Sequence, residues 1–222
     1  MRFKAAIFDM DGTLMDSLAD IGNSINRLLA EKGFGTRSLD DYRDFIGAGA
    51  RNLIARSLPD HARDEKTVQA CLQDFREDYY RGKWNIETRT YPGIPALLRK
   101  LRECGIRMAV LSNKPQFIVT QAVAQIVDAV KFDAAYGHSG EIPLKPDPAG
   151  AMRIADDLAV DPEEIVYAGD TAVDMKTAIA GGMFPVGVLW GYQPEEVLLK
   201  NGARAVVRTP REILSVFEHC LG

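Results

Sequence analysis

Two aspartates, Asp9 and Asp11, directly follow a short apolar run that ends at Phe8. The run has the composition of a buried strand, and alternate side chains of an extended chain point to the same side. The two carboxylates are therefore expected to lie close together at the end of the first strand. Because like charges raise each other's pKa unless a cation neutralises them, the pair indicates a metal-assisted acyl-phosphate site.

Two further segments carry polar side chains where predicted strands end. Ser112 and Asn113 follow an apolar run and precede Pro115, a pattern that predicts a helix start able to bind phosphate through its N–H groups. Lys145 lies in a loop stiffened by three prolines, which is a rigid support for a cation. Taken singly, each has an ordinary alternative, a helix cap in one case and a solvated lysine in the other.

A third segment, Gly169-Asp170-Thr171, follows another apolar run and opens a helical pattern. Asp174 lies four residues after Asp170, so both carboxylates can face the same side. The alternative is that Asp170 caps the helix and Asp174 is a first-turn acid favoured by the dipole. All of these segments occur in order at predicted strand ends with complementary chemistry, and this joint pattern favours a single site.

Apolar runs that alternate with helical patterns predict a doubly wound α/β parallel sheet, with ligand chemistry at the carboxyl ends of the strands. The predicted strands are residues 5–8, 108–111, 134–136, 165–168, 186–189 and 205–207. The predicted helices between and after them are residues 94–103, 116–127, 149–158, 172–180 and 210–219.

Residues 16–88 interrupt this alternation, because they have helical spacing and no convincing strand. A segment of that length is too long for a loop between a strand and a helix. It is therefore predicted to be a separate helical cap domain, and residues 1–15 and 89–222 form the catalytic core. Hinges are expected at residues 14–17 and 87–93, beside Asp9, so that the cap can close over the site.

Composition narrows the possible partners and location. The chain has 222 residues, a net charge of −4 and no long basic cluster, which argues against nucleic acid as the main partner. Its first apolar run is too short for a signal peptide or a membrane span. Three cysteines, odd in number and widely spaced, show no paired framework and favour a cytoplasmic location.

The sequence Asp9-Met10-Asp11-Gly12-Thr13-Leu14, together with Ser112, Lys145 and Gly169-Asp170…Asp174, resembles the four motifs of the haloacid dehalogenase-type phosphohydrolases. The resemblance covers essentially the whole chain, including the position of the helical insertion. It implies a Rossmann-like core with an inserted cap, a small phosphorylated metabolite as partner, no nucleic acid or membrane partner, and a monomer or homodimer.

The resemblance also implies a role for each matching residue. Asp9 would be the nucleophile that becomes an aspartyl phosphate, and Asp11 the general acid and base. Mg²⁺ would be held by the Asp9 carboxylate, the Asp11 carbonyl and Asp170, with Asp174 orienting that shell. The phosphoryl group would be bound by Gly12, Thr13, Ser112 and Asn113, and Lys145 would neutralise charge on the nucleophile and the phosphate.

The summed charge of the four aspartates, Lys145 and Mg²⁺ leads to a prediction about Asp11. A carboxylate attacks a phosphate dianion only if cations reduce the repulsion between them. Four ionised aspartates set against Mg²⁺ and Lys145 leave one net negative charge. Protonation of Asp11 would bring the site to neutrality, which supports its role as the acid.

The choice of activity and substrate depends on fewer residues. By this resemblance, Asp11 favours a phosphatase or a phosphomutase over a dehalogenase, and the Gly169-Asp170 pair favours the phosphatase over the phosphomutase. The helical insertion and the acid two residues after Asp9 disfavour the further alternative, a receiver-type signalling module. Inside the cap, Gly47 and Arg51 lie in a segment similar to phosphoglycolate phosphatases, where Arg51 would bind a substrate carboxylate. The alternative is a turn at Gly47 and a solvated helix face at Arg51. Residues 137–141 depart from that family's pattern.

Overall fold

A computed structural model describes residues 3–126 and 131–217 of the chain. The chain divides into two compact units, one formed by Met1–Met15 with Thr90–Gly222 and the other by Asp16–Arg89. The first contains a parallel sheet flanked by helices, and the second is helical. The predicted α/β fold class with a helical insertion is therefore confirmed.

The sheet of the first unit has six parallel strands in the order β5-β4-β1-β6-β7-β8. The strands of the chain are β1 (Ala5–Phe8), β2 (Met15–Asp16), β3 (Arg89–Thr90), β4 (Arg107–Pro115), β5 (Ala134–His138), β6 (Ile165–Gly169), β7 (Phe184–Val188) and β8 (Ala205–Val207). Strand β1 lies between β4 and β6, so the segments that follow these three strands emerge at one edge.

The helices are α1 (Leu18–Glu31), α2 (Leu39–Phe45), α3 (Ala50–Ser57), α4 (Glu65–Asp78), α5 (Ile94–Glu103), α6 (Gln116–Ile126), α7 (Ala149–Leu158), α8 (Ala172–Ala180) and α9 (Glu195–Lys200). Three of the predicted core helices match in both bounds. The predicted helix 210–219 is wrong in type, because Pro210–Val216 is a 3-10 helix; its last two residues lie outside the described part, as does residue 127.

A second difference concerns the segment from Ser112 to Pro115, which was predicted to open a helix. These residues instead continue β4, and α6 begins at Gln116, the predicted first residue of this helix. A proline disfavours helical backbone at the residue before it, so Lys114 stays extended. The difference matters for chemistry, because Ser112 and Lys114 are alternate residues of one strand.

Apolar packing fixes the sheet against α7. Ile7, Leu111 and Tyr167, from three adjacent strands, belong to one buried cluster with Ile154 and Leu158 of that helix. Burial of side chains of this size contributes about 1.5–3 kcal/mol each. The carboxyl ends of β1, β4 and β6 are therefore held by a packed layer directly beneath them.

The second unit begins and ends at the pairing of β2 with β3. Within it, the buried carboxylate of Asp20, in the first turn of α1, binds the returning chain. It accepts hydrogen bonds from the backbone N–H of Glu87 at 3.0 Å and from the N–H and hydroxyl of Thr88 at 2.8 and 2.7 Å. Asp20 thus ties the start of this unit to its end.

The cysteines differ from expectation. Cys71 is a free, buried thiol, whereas Cys104 is disulfide-bonded, although the spacing of the cysteines shows no paired framework. The spacing of three cysteines gives no information about which of them approach in space. Among residues 3–126 and 131–217, none of the helices has the length and hydrophobicity needed to cross a membrane.

Candidate active site

A buried lysine joins two carboxylates at the carboxyl edge of the sheet. The ammonium group of Lys145 lies 2.8 Å from Oδ1 of Asp9 and 2.7 Å from Oδ1 of Asp174. It also donates to the carbonyl oxygen of Leu111 at 3.2 Å, and its side chain is only 2% exposed. Burial alone would lower the pKa of Lys145, but Asp174 and Asp9 outweigh it and hold the pKa well above its usual value. Lys145 is therefore a fixed positive charge.

Asn113 holds Lys145 in place from the neighbouring strand. Its side-chain oxygen accepts from the Lys145 N–H at 2.7 Å, and its side-chain nitrogen donates to the Lys145 carbonyl at 3.1 Å. Two reciprocal bonds fix both the position and the direction of the loop backbone. The side chain of Asn113 thus positions the lysine, a role that the sequence did not reveal.

Asp170 and Asp174 come from the turn between β6 and α8. Thr171 caps α8, and its hydroxyl and backbone N–H both donate to Oδ2 of Asp174, at 2.6 and 3.0 Å. Asp170 accepts from the hydroxyl of Thr13 at 2.9 Å and from the N–H of Tyr192 at 2.9 Å. The capping alternative for Asp170 is therefore wrong, because Thr171 is the cap.

Three of these carboxylates form a compact group that suits a cation. One oxygen each from Asp9, Asp170 and Asp174 lies within 4.8 Å of the others, and all three residues are buried. Burial, with the charge of Asp174, raises the pKa of Asp9 to about 7, and burial raises the pKa of Asp170 well above its usual value. A divalent cation bound here would offset the free energy cost of burying these negative charges, and an all-oxygen donor set fits Mg²⁺.

Asp11 is not one of these three carboxylates, and it forms an ion pair with a different lysine. Its Oδ1 lies 2.9 Å from the ammonium of Lys114, with side-chain exposures of 13% and 8%. A helix start at this segment assigns no role to Lys114. As a strand, the same segment would have placed Ser112 and Lys114 on one face. Lys114 adds a second positive charge beside this set, so the charge count alone no longer requires a proton on Asp11.

The turn that follows Asp11 is packed tightly against Asp170. Gly12 has φ +81°, and a Cβ there would lie 2.1 Å from Oδ2 of Asp170. Gly191 approaches from the other side, where a Cβ would lie 2.3 Å from Cβ of Asp170 and 2.4 Å from the Gly12 carbonyl oxygen. Only hydrogen fits at either position.

The segment after β7 is a part of the site that sequence reasoning missed. The indole N–H of Trp190 donates to the carbonyl oxygen of Thr13 at 2.9 Å. The side-chain oxygen of Gln193 accepts from the N–H of Ala172, at the start of α8, at 2.7 Å. An available signal was the sequence Trp190-Gly191-Tyr192 directly after an apolar strand.

Gly47 and Arg51 lie in the helical unit. Gly47 has φ +116°, and Arg51, in the first turn of α3, forms an ion pair with Glu65 and is 55% exposed. These observations describe a turn followed by a solvated helix face. Contact between either residue and substrate stays a prediction.

A family model described as haloacid dehalogenase-like hydrolase matches residues 6–188. The chain is 33% identical to a phosphoglycolate phosphatase of Pseudomonas putida, over 85% of this chain and 70% of that protein. It is 29% identical to an N-acetylmuramic acid 6-phosphate phosphatase of Pseudomonas aeruginosa, over 100% of this chain and 97% of that protein. A crystal structure of a proposed phosphoglycolate phosphatase from Lactobacillus delbrueckii subsp. bulgaricus has a TM-score of 0.90 and 30% identity, and covers 97% of this chain and 98% of that one.

Proposed function

The chain belongs to the haloacid dehalogenase-like hydrolases, and on that premise we propose that it is an Mg²⁺-dependent phosphatase of small metabolite phosphate esters. The observation that carries the proposal is the buried arrangement in which Lys145 joins Asp9 to Asp174, beside Asp170. A buried carboxylate paired with a fixed cation is suited to approach a phosphate dianion, which an isolated carboxylate would repel.

Asp9 is the proposed nucleophile. Its Oδ1 is held by the Met10 N–H at 2.7 Å and by Lys145 at 2.8 Å, which leaves Oδ2 to attack phosphorus. The attack forms an aspartyl phosphate and releases the alcohol of the ester. Water then attacks this intermediate, frees inorganic phosphate and regenerates the Asp9 carboxylate.

Asp11 is the proposed acid and base. It gives a proton to the departing ester oxygen and then takes one from the attacking water. Its side chain is more exposed than that of Asp9, 13% against 6%, which fits contact with the departing alcohol and with the attacking water. Asp11→Asn is expected to keep substrate binding and slow departure of poor leaving groups most.

The remaining residues bind the phosphoryl group and the metal. Mg²⁺ would be held by the carboxylates of Asp9 and Asp170 and the carbonyl of Asp11, with Asp174 supporting that shell. When bound, it would neutralise negative charge on the nucleophile and the phosphoryl oxygens. Ser112 and the backbone N–H of Asn113 are proposed to bind phosphoryl oxygens, whereas the Gly12 N–H donates to the Met15 carbonyl at 2.9 Å within its own turn.

The proposed substrate class is a phosphate monoester that also carries a carboxylate. Both curated relatives reported above are named for phosphate esters of a carboxylic acid, phosphoglycolate and N-acetylmuramic acid 6-phosphate. We take 2-phosphoglycolate as the first candidate, as the cap segment around Gly47 and Arg51 suggests.

The deciding experiment measures phosphate release from 2-phosphoglycolate, N-acetylmuramic acid 6-phosphate, sugar phosphates and nucleotides, with Mg²⁺ and with EDTA. Asp9→Asn should abolish release, whereas Asp156→Asn, at an exposed position of α7, should retain it. Phosphate that moves to a second position of the product instead of entering solution would identify a phosphomutase. No release from any ester with Mg²⁺ present would refute the proposal.

We also propose a cytoplasmic location and a monomer or homodimer. The free thiol of Cys71 fits a reducing compartment, whereas the disulfide bond at Cys104 fits an oxidising one. Alkylation of thiols at the moment of cell lysis separates these cases, because three reactive thiols per denatured chain support the cytoplasm and fewer argue against it. Light scattering coupled to gel filtration gives the mass of the assembly.

A further inference from the structure

Lys114 and Asp11 form the most accessible ion pair of the site. Their side chains are 8% and 13% exposed, compared with 2% for Lys145 and 0% for Asp174. The two lysines are therefore arranged at different depths. In the interior, Lys145 pairs with the proposed nucleophile Asp9. Nearer to solvent, Lys114 pairs with the proposed acid Asp11.

The backbone of Lys114 is fixed on two sides. Its N–H donates to the hydroxyl of Ser112 at 3.2 Å. Gly137 of β5 approaches so closely that a Cβ there would lie 2.6 Å from the Lys114 carbonyl oxygen. Because its backbone is restrained and its aliphatic part is nearly buried, the ammonium group of Lys114 is confined to a small region, unlike that of a solvated surface lysine.

We propose that Lys114 binds the carboxylate of the substrate, an assignment that rests on the proposed phosphatase function. Asp11 must reach the ester oxygen that leaves, at a hydrogen-bond distance of about 2.5–3 Å. Because Oδ1 of Asp11 lies 2.9 Å from the Lys114 ammonium, an ester oxygen that contacts Oδ1 lies within about 6 Å of that ammonium. In 2-phosphoglycolate the carboxylate is attached one carbon away from the ester oxygen, within this reach.

The chemistry of lysine allows both contacts. An ammonium group has three N–H donors, so it can serve the Asp11 carboxylate and a substrate carboxylate together. A carboxylate bound here also anchors the leaving group through its far end. Lys114 would thus select esters by the group on the alcohol side, while Lys145 acts on the phosphoryl side.

The test compares two esters of the same size in matched variants. The esters are 2-phosphoglycolate and 2-hydroxyethyl phosphate, which replaces the carboxylate with a neutral hydroxymethyl group. Lys114→Met removes the charge, Lys114→Gln does so with a polar end, and Lys114→Arg keeps it. Lys176→Met, at an exposed position of α8, is the control. The measured quantity is the ratio of the two kcat/KM values, after circular dichroism has shown each variant folded.

The wild type should prefer 2-phosphoglycolate. Lys114→Met and Lys114→Gln should lower that preference by about tenfold or more, the loss typical of one charged hydrogen bond. Lys114→Arg should retain the preference within about threefold, and the control should match the wild type. An equal loss on both esters would overturn the inference, because it would show that Lys114 serves only Asp11. A wild type inactive on both esters and on the wider panel would refute the phosphatase function itself.

Discussion

The indole N–H of Trp190 donates to the carbonyl oxygen of Thr13 at 2.9 Å. This bond joins the segment after β7 to the turn that carries Asp11, and the Thr13 hydroxyl in turn donates to Asp170. Tyr192 N–H completes the connection by donating to the same aspartate. The carboxylate proposed to bind metal is therefore held by residues from both ends of the core's sequence.

Replacement of Trp190 by phenylalanine tests this connection, because it keeps an aromatic ring and removes the N–H donor. The loss of one hydrogen bond, about 0.5–1.5 kcal/mol, should lower kcat about 2- to 12-fold and weaken Mg²⁺ binding measured by calorimetry. Trp84→Phe, a buried tryptophan of the helical unit, should leave Mg²⁺ affinity unchanged. Equal Mg²⁺ affinity in both variants would count against a positioning role.

Gly191→Ala should be more damaging than the loss of Trp190. The added carbon would lie 2.3 Å from Cβ of Asp170, so either the loop or the aspartate must shift. We expect a loss of about 1–3 kcal/mol in the free energy of unfolding and a larger fall in kcat/KM than in Trp190→Phe. Gly140→Ala, where nothing lies within 4 Å of the new Cβ, should behave as the wild type. Urea titration and steady-state kinetics measure both effects.

Stability without metal should decrease as pH rises through the range where Asp9 ionises. Its folded-state pKa of about 7 is above its unfolded value of 3.8, so the folded protein binds more protons between them. The contribution of this carboxyl is therefore fully present below about pH 4 and is lost as pH rises towards 7.

Mg²⁺ competes with protons for the same carboxylates, so it should raise Tm more at pH 8 than at pH 5.5. Thermal melts in EDTA and in excess Mg²⁺ at the two pH values measure the difference. The rise in Tm caused by Mg²⁺ should be small at both pH values in Asp170→Asn, because this substitution removes one proposed ligand. A larger Mg²⁺ shift at the lower pH would contradict the assignment of these carboxylates to a cation.

Asp20→Asn should destabilise the helical unit. The aspartate accepts from the Glu87 N–H, the Thr88 N–H and the Thr88 hydroxyl, and an amide provides one oxygen instead of two. Hydrogen bonds to charged groups contribute about 1.5–3 kcal/mol, and we expect a loss of that order in the free energy of unfolding. Asp40→Asn, at a highly exposed carboxylate, is the matched control. Faster proteolysis between residues 84 and 90 should accompany the loss.

The sequence by itself determined the alternation of strands and helices, the long helical insertion and the positions of Asp9, Lys145, Asp170 and Asp174 at one edge of the sheet. These follow from local patterns, because apolar runs and caps reflect the neighbouring residues alone. Parallel strands also bring their carboxyl ends together, so the order of motifs was enough to group the acids.

Only the tertiary structure decided which side chains meet. The pairing of Lys114 with Asp11, the bonds from Asn113 to Lys145 and the contact of Trp190 with Thr13 each join residues that are distant in sequence. Local patterns carry no information about such pairs, and one proline was enough to turn an expected helix start into strand. The sequence therefore identified the acids, but only the fold showed that Lys145 and Lys114 pair with Asp9, Asp174 and Asp11 and that neutral donors hold Asp170.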